Sequence, residues 1–301
     1  MNFAELLFPD FSLILCGFLV CRFTPLGRNV WEPVESLVYF FLFPALLFTS
    51  IVRSPLDVRE ASSLIGAGLA MGASAIAMAY ALPYLPLLGR HIDRRDHAGA
   101  AQVAFRFNSF IAFALAERLE GARGLQLIAV LIGFCVPLFN VAAVWPMARH
   151  GQGGFVRALV RNPLIIATAA GLAFNLAGLR MPAFAEPTLL RIGSASIALG
   201  LMTAGAGLQF GQMATNKALT TGVLAIRHFL TPLAGFVIAR LFGLDAVQTA
   251  ILMAFSALPT ASSSYVLAAR MGYNAPYVAG LVTLSTLLGI VSLPFALGLL
   301  R

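Results

Sequence analysis

The sequence predicts an all-α polytopic membrane protein: ten transmembrane helices in two inverted five-helix repeats, with broken helices four and nine crossing near the midplane. Three observations predict it. Hydrophobic residues make up 59% of the 301 and charged residues only 11%, whereas a soluble domain carries roughly 25% charged residues on its surface. Cutting the chain at its charges and Pro/Gly clusters leaves ten apolar segments of bilayer length, roughly 17 to 25 residues each. Two of those segments, the fourth and the ninth, are polar at their centres, with RFNSF in one and PTASSS in the other.

The first span runs from about Phe3 to Cys21 and stops at Arg22. Its leading residues MNFAELLFPD are acidic and no A-x-A pattern follows, so it is expected to stay in the mature protein rather than be cleaved as a signal peptide. Span two covers about Val34 to Val52, and span three about Ser62 to Leu88, long enough to tilt or to kink at Pro83 and Pro86. Spans four and five cover about Ala100 to Ala116 and Leu125 to Met147. After the connector ARHGQGGFVRALVRN come span six, about Pro163 to Leu179, and span seven, about Thr188 to Leu208. Spans eight, nine and ten are about Ala218 to Ala239, Ala246 to Ala269 and Pro276 to Leu300. The connectors are too short to hold a separate soluble domain.

Orientation follows from the basic residues. Connectors after the odd-numbered spans hold Arg22, Arg28, Arg90, Arg94, Arg95, Arg149, Arg157, Arg161, Lys217 and Arg270, ten against eight in the other set. The two densest loops, GRHIDRR and ARHGQGGFVRALVRN, belong to the larger set and place it in the cytoplasm of a cell inner membrane, with both termini outside.

The halves echo one another. Span four, AQVAFRFNSFIAFALAERL, and span nine, VQTAILMAFSALPTASSSYVLAARM, both have a glutamine near the start and an arginine at the end. A five-span unit repeated must enter the membrane the other way up, because five is odd. Residues 1-147 then form the first repeat, 148-162 a connector and 163-301 the second repeat. Backbone freed at membrane depth is tolerable only against protein or a watery cavity, and two broken helices can supply each other's cavity. Their N-terminal half-ends offer N–H groups to an anion, and their freed carbonyls offer ligands to a cation.

The polar residues at those breaks are the candidate substrate site. Pro259 removes a backbone donor, and Thr260, Ser262, Ser263 and Ser264 follow it. Two readings of the hydroxyls stand side by side: ligands, or small side chains that pack helices and bond their own carbonyls. Arg106 lies well inside span four, two positions before Asn108. It either meets a carboxylate, pairs with a helix end or a polar network, or reaches back to the interface. Arg227 and His228 form a second cationic pair in the middle of span eight. His228 is the titrating candidate if protons are coupled, or else a neutral packing histidine. With no Asp or Glu at comparable depth, a coupling sodium would need neutral oxygens such as Asn108, hydroxyls and carbonyls. The coupling ion is therefore H+ or Na+, and no cofactor or metal is expected.

The remaining classes fall away on composition. The formal charge of +8 is scattered through connectors, which argues against nucleic acid as a partner. No H-E-x-x-H, G-x-S-x-G or Walker A sequence occurs, so neither an enzyme nor an ATP-driven pump is expected. Cys16, Cys21 and Cys135 match no metal spacing. A secondary carrier of a small organic anion is the expected function, with an anion- or ion-conducting channel as the alternative. Smooth apolar faces on spans two and seven suit lipid or a homodimer.

Taken together, FPALLF in span two, RFNSF in span four, RNPLIIATAAGLAFNLAGLRMP through span six, IGSASIALGLMTAGAGLQF in span seven and ALPTASSSYVLAARMG in span nine resemble the auxin efflux carrier family in its compact bacterial form. The resemblance implies a fold related to bile-acid sodium symporters, with a scaffold from spans 1, 2, 6 and 7 and a transport domain from spans 3, 4, 5, 8, 9 and 10. It carries the family's central asparagine onto Asn108 and its span-nine proline onto Pro259. It also implies a small carboxylate as substrate: indole-acetic acid for plant members, malonate or similar acids for bacterial ones. This chain departs from the pattern in span four, where Phe107 precedes Asn108 and no Pro or Gly occurs from Arg106 to Ala116. The sharpness of that break is left open.

Overall fold

The computed structural model describes residues 3–52, 58–86, 88–148, 163–208, 216–261 and 263–300. Among the described residues every regular element is helical and there is no strand. Helix α1 spans Phe3–Phe23, and α2 (Arg28–Leu37) runs through a π turn, Val38–Leu42, into α3 (Phe43–Val52). Helix α4 (Val58–Ala81) ends in a 3-10 turn, Leu82–Tyr84, at the proline where a kink was expected. Asp93 caps α5 (Arg94–Ala100), its side chain accepting from the Asp96 N–H at 2.8 Å. The chain tightens into a 3-10 turn, Ala101–Ala104, loses helical form, and resumes as α6 (Ser109–Ala148). Helix α6 is interrupted at Glu120 and Gly121, where the glycine takes φ 56, a conformation other residues avoid.

In the second half, α7 spans Pro163–Leu176 and α8 Glu186–Ala206. Helix α9 (Lys217–Ala225) passes through another π turn, Ile226–Leu230, into α10 (Thr231–Leu241). Helices α11 (Ala246–Ala257) and α12 (Ser263–Arg270) are the two parts of the ninth apolar segment, and α13 spans Ala275–Gly298. Both π turns lie just ahead of a proline, Pro44 or Pro232. A proline ring clashes with the carbonyl four residues back and offers no N–H to it, and a widened turn relieves both faults.

Two differences from the sequence reading concern length. Five stretches are long and apolar enough to cross a bilayer among the described residues: Ser62–Tyr84, Arg94–Met147, Glu186–Ala206, Lys217–Leu241 and Ala275–Gly298. Expected spans four and five fall together in the second of these, and Ala246–Ala257 is short because its segment is broken. Span four also begins at Arg94 rather than near Ala100, since Asp93 supplies a cap and puts Arg94 and Arg95 in the first turn. Residues 149–162, with three of the arginines used for orientation, lie outside the described residues.

The chain forms two compact units. One comprises Met1–Ile65, Phe110–Phe134 and Gly154–Gly207. In it α1 lies on α8 so closely that Gly17 abuts the Met202 carbonyl and Gly205 abuts the Ile14 carbonyl. Helix α3 packs on α7 and α8, and Phe43 sets its ring edge-on to Phe110 and Phe113 at 4.9 and 5.1 Å. The other unit comprises Gly66–Ser109, Cys135–Gly153 and Leu208–Arg301. Here α10, α11 and α13 pack around the second π turn, and α12 lies on α13. The candidate site residues fall in this second unit.

Candidate functional site

Both polar segments are broken, and the breaks touch. The Asn108 N–H donates to the Pro259 carbonyl at 2.9 Å, a backbone bond joining segments 151 positions apart. Span nine breaks for a local reason: Leu258 precedes a proline and adopts an extended conformation, φ -55 and ψ 144. The Thr260 N–H, freed from any helix, donates to Ser285 Oγ on α13 at 3.0 Å. The Pro259 ring rests over Gly289 of the same helix, where a Cβ would stand 2.7 Å from Pro259 Cγ.

Span four breaks without proline or glycine. The Arg106 N–H still reaches the Gln102 carbonyl at 2.8 Å, but the chain then opens and the next bond crosses to Pro259. Phe105 and Phe107 are buried while Arg106 between them is partly exposed. The Phe107 ring lies 4.5 Å from Phe255 and 5.8 Å from Phe139, and Phe105 lies 6.0 Å from Phe139. Burial of two large aromatic side chains, each of roughly 150–250 Å², holds open a segment whose sequence would permit helix. The break left open in the sequence is thus sharp, and its cause is tertiary.

Arg227 lies at the carbonyl ends. It is 1% exposed, and all three guanidinium nitrogens donate to backbone: Nε to Leu258 at 2.5 Å, Nη2 to Phe255 at 3.3 Å and Nη1 to Phe105 at 3.4 Å. Those carbonyls close α11 and the turn after α5, the negative ends of two half-helices. His228 is also buried, with Nδ1 2.7 Å from Ser292 Oγ and Nε2 2.9 Å from Ser285 Oγ. Both residues of the cationic pair are therefore engaged by protein groups.

Arg106 stands at the opposite, N–H ends. Its Nη2 donates to Ser263 Oγ, the first residue of α12, at 3.1 Å, and Nη1 donates to Gln102 Oε1 at 2.9 Å. Gln102 is held in turn, its Nε2 donating to Gly99 and Ser264 carbonyls at 2.9 and 3.1 Å. A cation beside the N-terminus of a helix adds to positive potential instead of cancelling it. Asn108 is buried immediately before α6, and Ser263 is exposed. The hydroxyls of Thr260 and Ser264 are buried and make no hydrogen bond among the described residues. Ser262 lies outside the described residues.

The meeting of the two breaks thus brings together Arg106, Asn108, Pro259, Thr260, Ser263 and Ser264, while Arg227 and His228 back it from the carbonyl side. Gln102, Ser285 and Ser292 were not among the sequence candidates. Ser285 and Ser292 are seven residues apart, two turns of one helix face, a spacing visible in the sequence. Gln102 and Gln248, which looked equivalent, do different work: Gln248 completes a capping box with Asp245 at the start of α11. Among the described residues no three His, Cys, Asp or Glu side chains gather as a metal site.

Apolar helices of this length, with irregular backbone enclosed by other helices, define a multi-pass membrane protein. Residues 147–297 match the model of the family described as "Membrane transport protein". The chain belongs to that family, of the auxin efflux carrier type. It is 24% identical over 298 residues to an "Uncharacterized transporter" of Methanothermobacter thermautotrophicus, covering 98% of this chain and 97% of that one. It is 22% identical over 318 residues to a "Putative malonate transporter" of Rhizobium meliloti, covering 98% and 95%.

Proposed function

We propose that the chain is a secondary active transporter that moves a small organic anion, a carboxylate, across the cytoplasmic membrane by alternating access. The observation that carries this reading is the meeting of the α6 and α12 N-terminal ends beside Arg106. Two helix N-terminal ends, a planar guanidinium and an exposed serine hydroxyl suit a carboxylate, which accepts at both oxygens. Asn108 and the hydroxyls of Thr260 and Ser264 complete the site in this reading. The malonate named for the Rhizobium meliloti relative supports the substrate class.

Ten crossings in two inverted repeats belong to the same proposal. Asp93 and Asp245 each cap a half-helix, and each half-helix breaks at Phe105 or Leu258, little more than three turns later. The first unit holds α1, α2 with α3, α7 and α8, the helices assigned to a scaffold, which supports a stationary part there. Both termini outside, a homodimer through smooth apolar faces, and transport rather than enzymatic chemistry complete the proposal.

The test is uptake of labelled malonate into proteoliposomes, with counterflow. Saturable uptake accelerated by internal malonate is expected. Conductance far above carrier turnover would make the chain a channel instead, and no exchange with any mono- or dicarboxylate would remove the anion reading.

A further inference from the structure

We propose that the Arg227 guanidinium is a resident cation at the crossing: it fills the carbonyl cage that a coupling sodium ion would need, and the crossing operates without sodium. This rests on the carrier reading above. In a pair of crossed broken helices, the carbonyl ends of both first halves collect negative partial charge at one spot, and a cation must stand there. In this chain the spot is occupied from within. Nε, Nη1 and Nη2 of Arg227 reach the Leu258, Phe105 and Phe255 carbonyls, so one side chain answers both half-helices at once.

Three features exclude a second ion beside it. Arginine carries its positive charge at neutral pH, so the carbonyls meet a cation without drawing one from solution. Among the described residues no carboxylate pairs with Arg227, so an added sodium would meet a like charge without compensation. The neighbouring His228 has both ring nitrogens committed to Ser285 and Ser292, and Ser285 Oγ also takes the Thr260 N–H. The Ser285 and Ser292 hydroxyls beside the pair are thus already in use.

The experiment compares melting midpoints of the purified full chain in detergent, without anion, in sodium chloride and in choline chloride of equal ionic strength. Wild type is expected to melt at the same temperature in both. Arg227→Ala should melt several degrees lower in choline chloride, because three carbonyls lose their donor, and should recover part of the loss in methylguanidinium chloride or sodium chloride. Arg227→Lys, one ammonium for three carbonyls, should fold with an intermediate midpoint even if the alanine variant does not. A wild type stabilised by sodium over choline, or an Arg227→Ala as stable as wild type and indifferent to added cation, would overturn the proposal. Malonate counterflow reads the carrier assignment separately: its loss with sodium-indifferent stability leaves Arg227 in place, and sodium-stabilised protein with normal counterflow removes only Arg227.

Discussion

Gly289→Ala tests how tightly the crossing is held, and it has a built-in control. A Cβ at Gly289 would lie 2.7 Å from Pro259 Cγ, whereas one at Gly298, near the end of the same helix, meets nothing within 4 Å. Carbon atoms pack at about 3.5–4.0 Å, so the proline ring must retreat by about 1 Å. The ring is covalently fixed to the carbonyl that accepts the Asn108 N–H at 2.9 Å, and such a retreat stretches that bond past useful length. Overpacking of this size costs about 1–3 kcal/mol. Replacing glycine by alanine inside a helix also returns about 1 kcal/mol of propensity. That gain is smaller at Gly298, the last residue of α13, so the difference between Gly289→Ala and Gly298→Ala is a lower bound on the packing cost. Melting in detergent and malonate uptake in proteoliposomes should both separate the variants, Gly289→Ala being several degrees less stable and markedly slower. If the two variants match in both assays, Pro259 is free to move and the crossing is not the rigid joint described.

Arg106→Lys keeps a charge but loses the fork that reaches both Gln102 and Ser263; loss of a charge-assisted bond worth about 1.5–3 kcal/mol should weaken malonate binding roughly ten- to hundredfold, measured by titration of monodisperse protein. Asn108→Ala leaves the backbone bond to Pro259 available and removes only the amide, so binding should weaken about five- to hundredfold; unchanged affinity in both variants would move the substrate elsewhere. Gln102→Leu removes the group that steadies Arg106 and strands the bonds to Gly99 and Ser264, and it should lower the melting midpoint as well as affinity, an outcome Arg106→Lys should not share. A cysteine placed at Arg90, ahead of the α5 cap, should be labelled from the cytoplasm; labelling from outside would invert the orientation.

Class and site were legible in the sequence to different depths. Apolarity and missing charge spell out a helical membrane chain, and Pro259 announces its own break because a missing N–H is written in the residue. The break at Asn108 is not written locally. It depends on Phe107 meeting Phe255 and Phe139, contacts whose partners lie far off in the chain. Arg227 and His228 stood out as buried charge, but their roles were hidden for the same reason: a carbonyl end is recognisable as a ligand only once the helices that own it have been placed. Arg106 is the reverse case, since a helix end or a polar network was among its sequence readings, and Gln102 with Ser263 supplies it.

The pairing of α1 with α8 has a mechanical consequence. Gly17 faces the Met202 carbonyl and Gly205 faces the Ile14 carbonyl, so at these two points main chain rests on main chain. Side chains give an interface its play, because they can hop between rotamers and settle into a second arrangement; peptide groups have no such alternatives. Sliding by even one residue would drive a larger side chain into each carbonyl. This pair therefore behaves as a keyed joint with a single setting, able to be carried or to carry, but not to serve as the hinge or the slip plane of a moving machine.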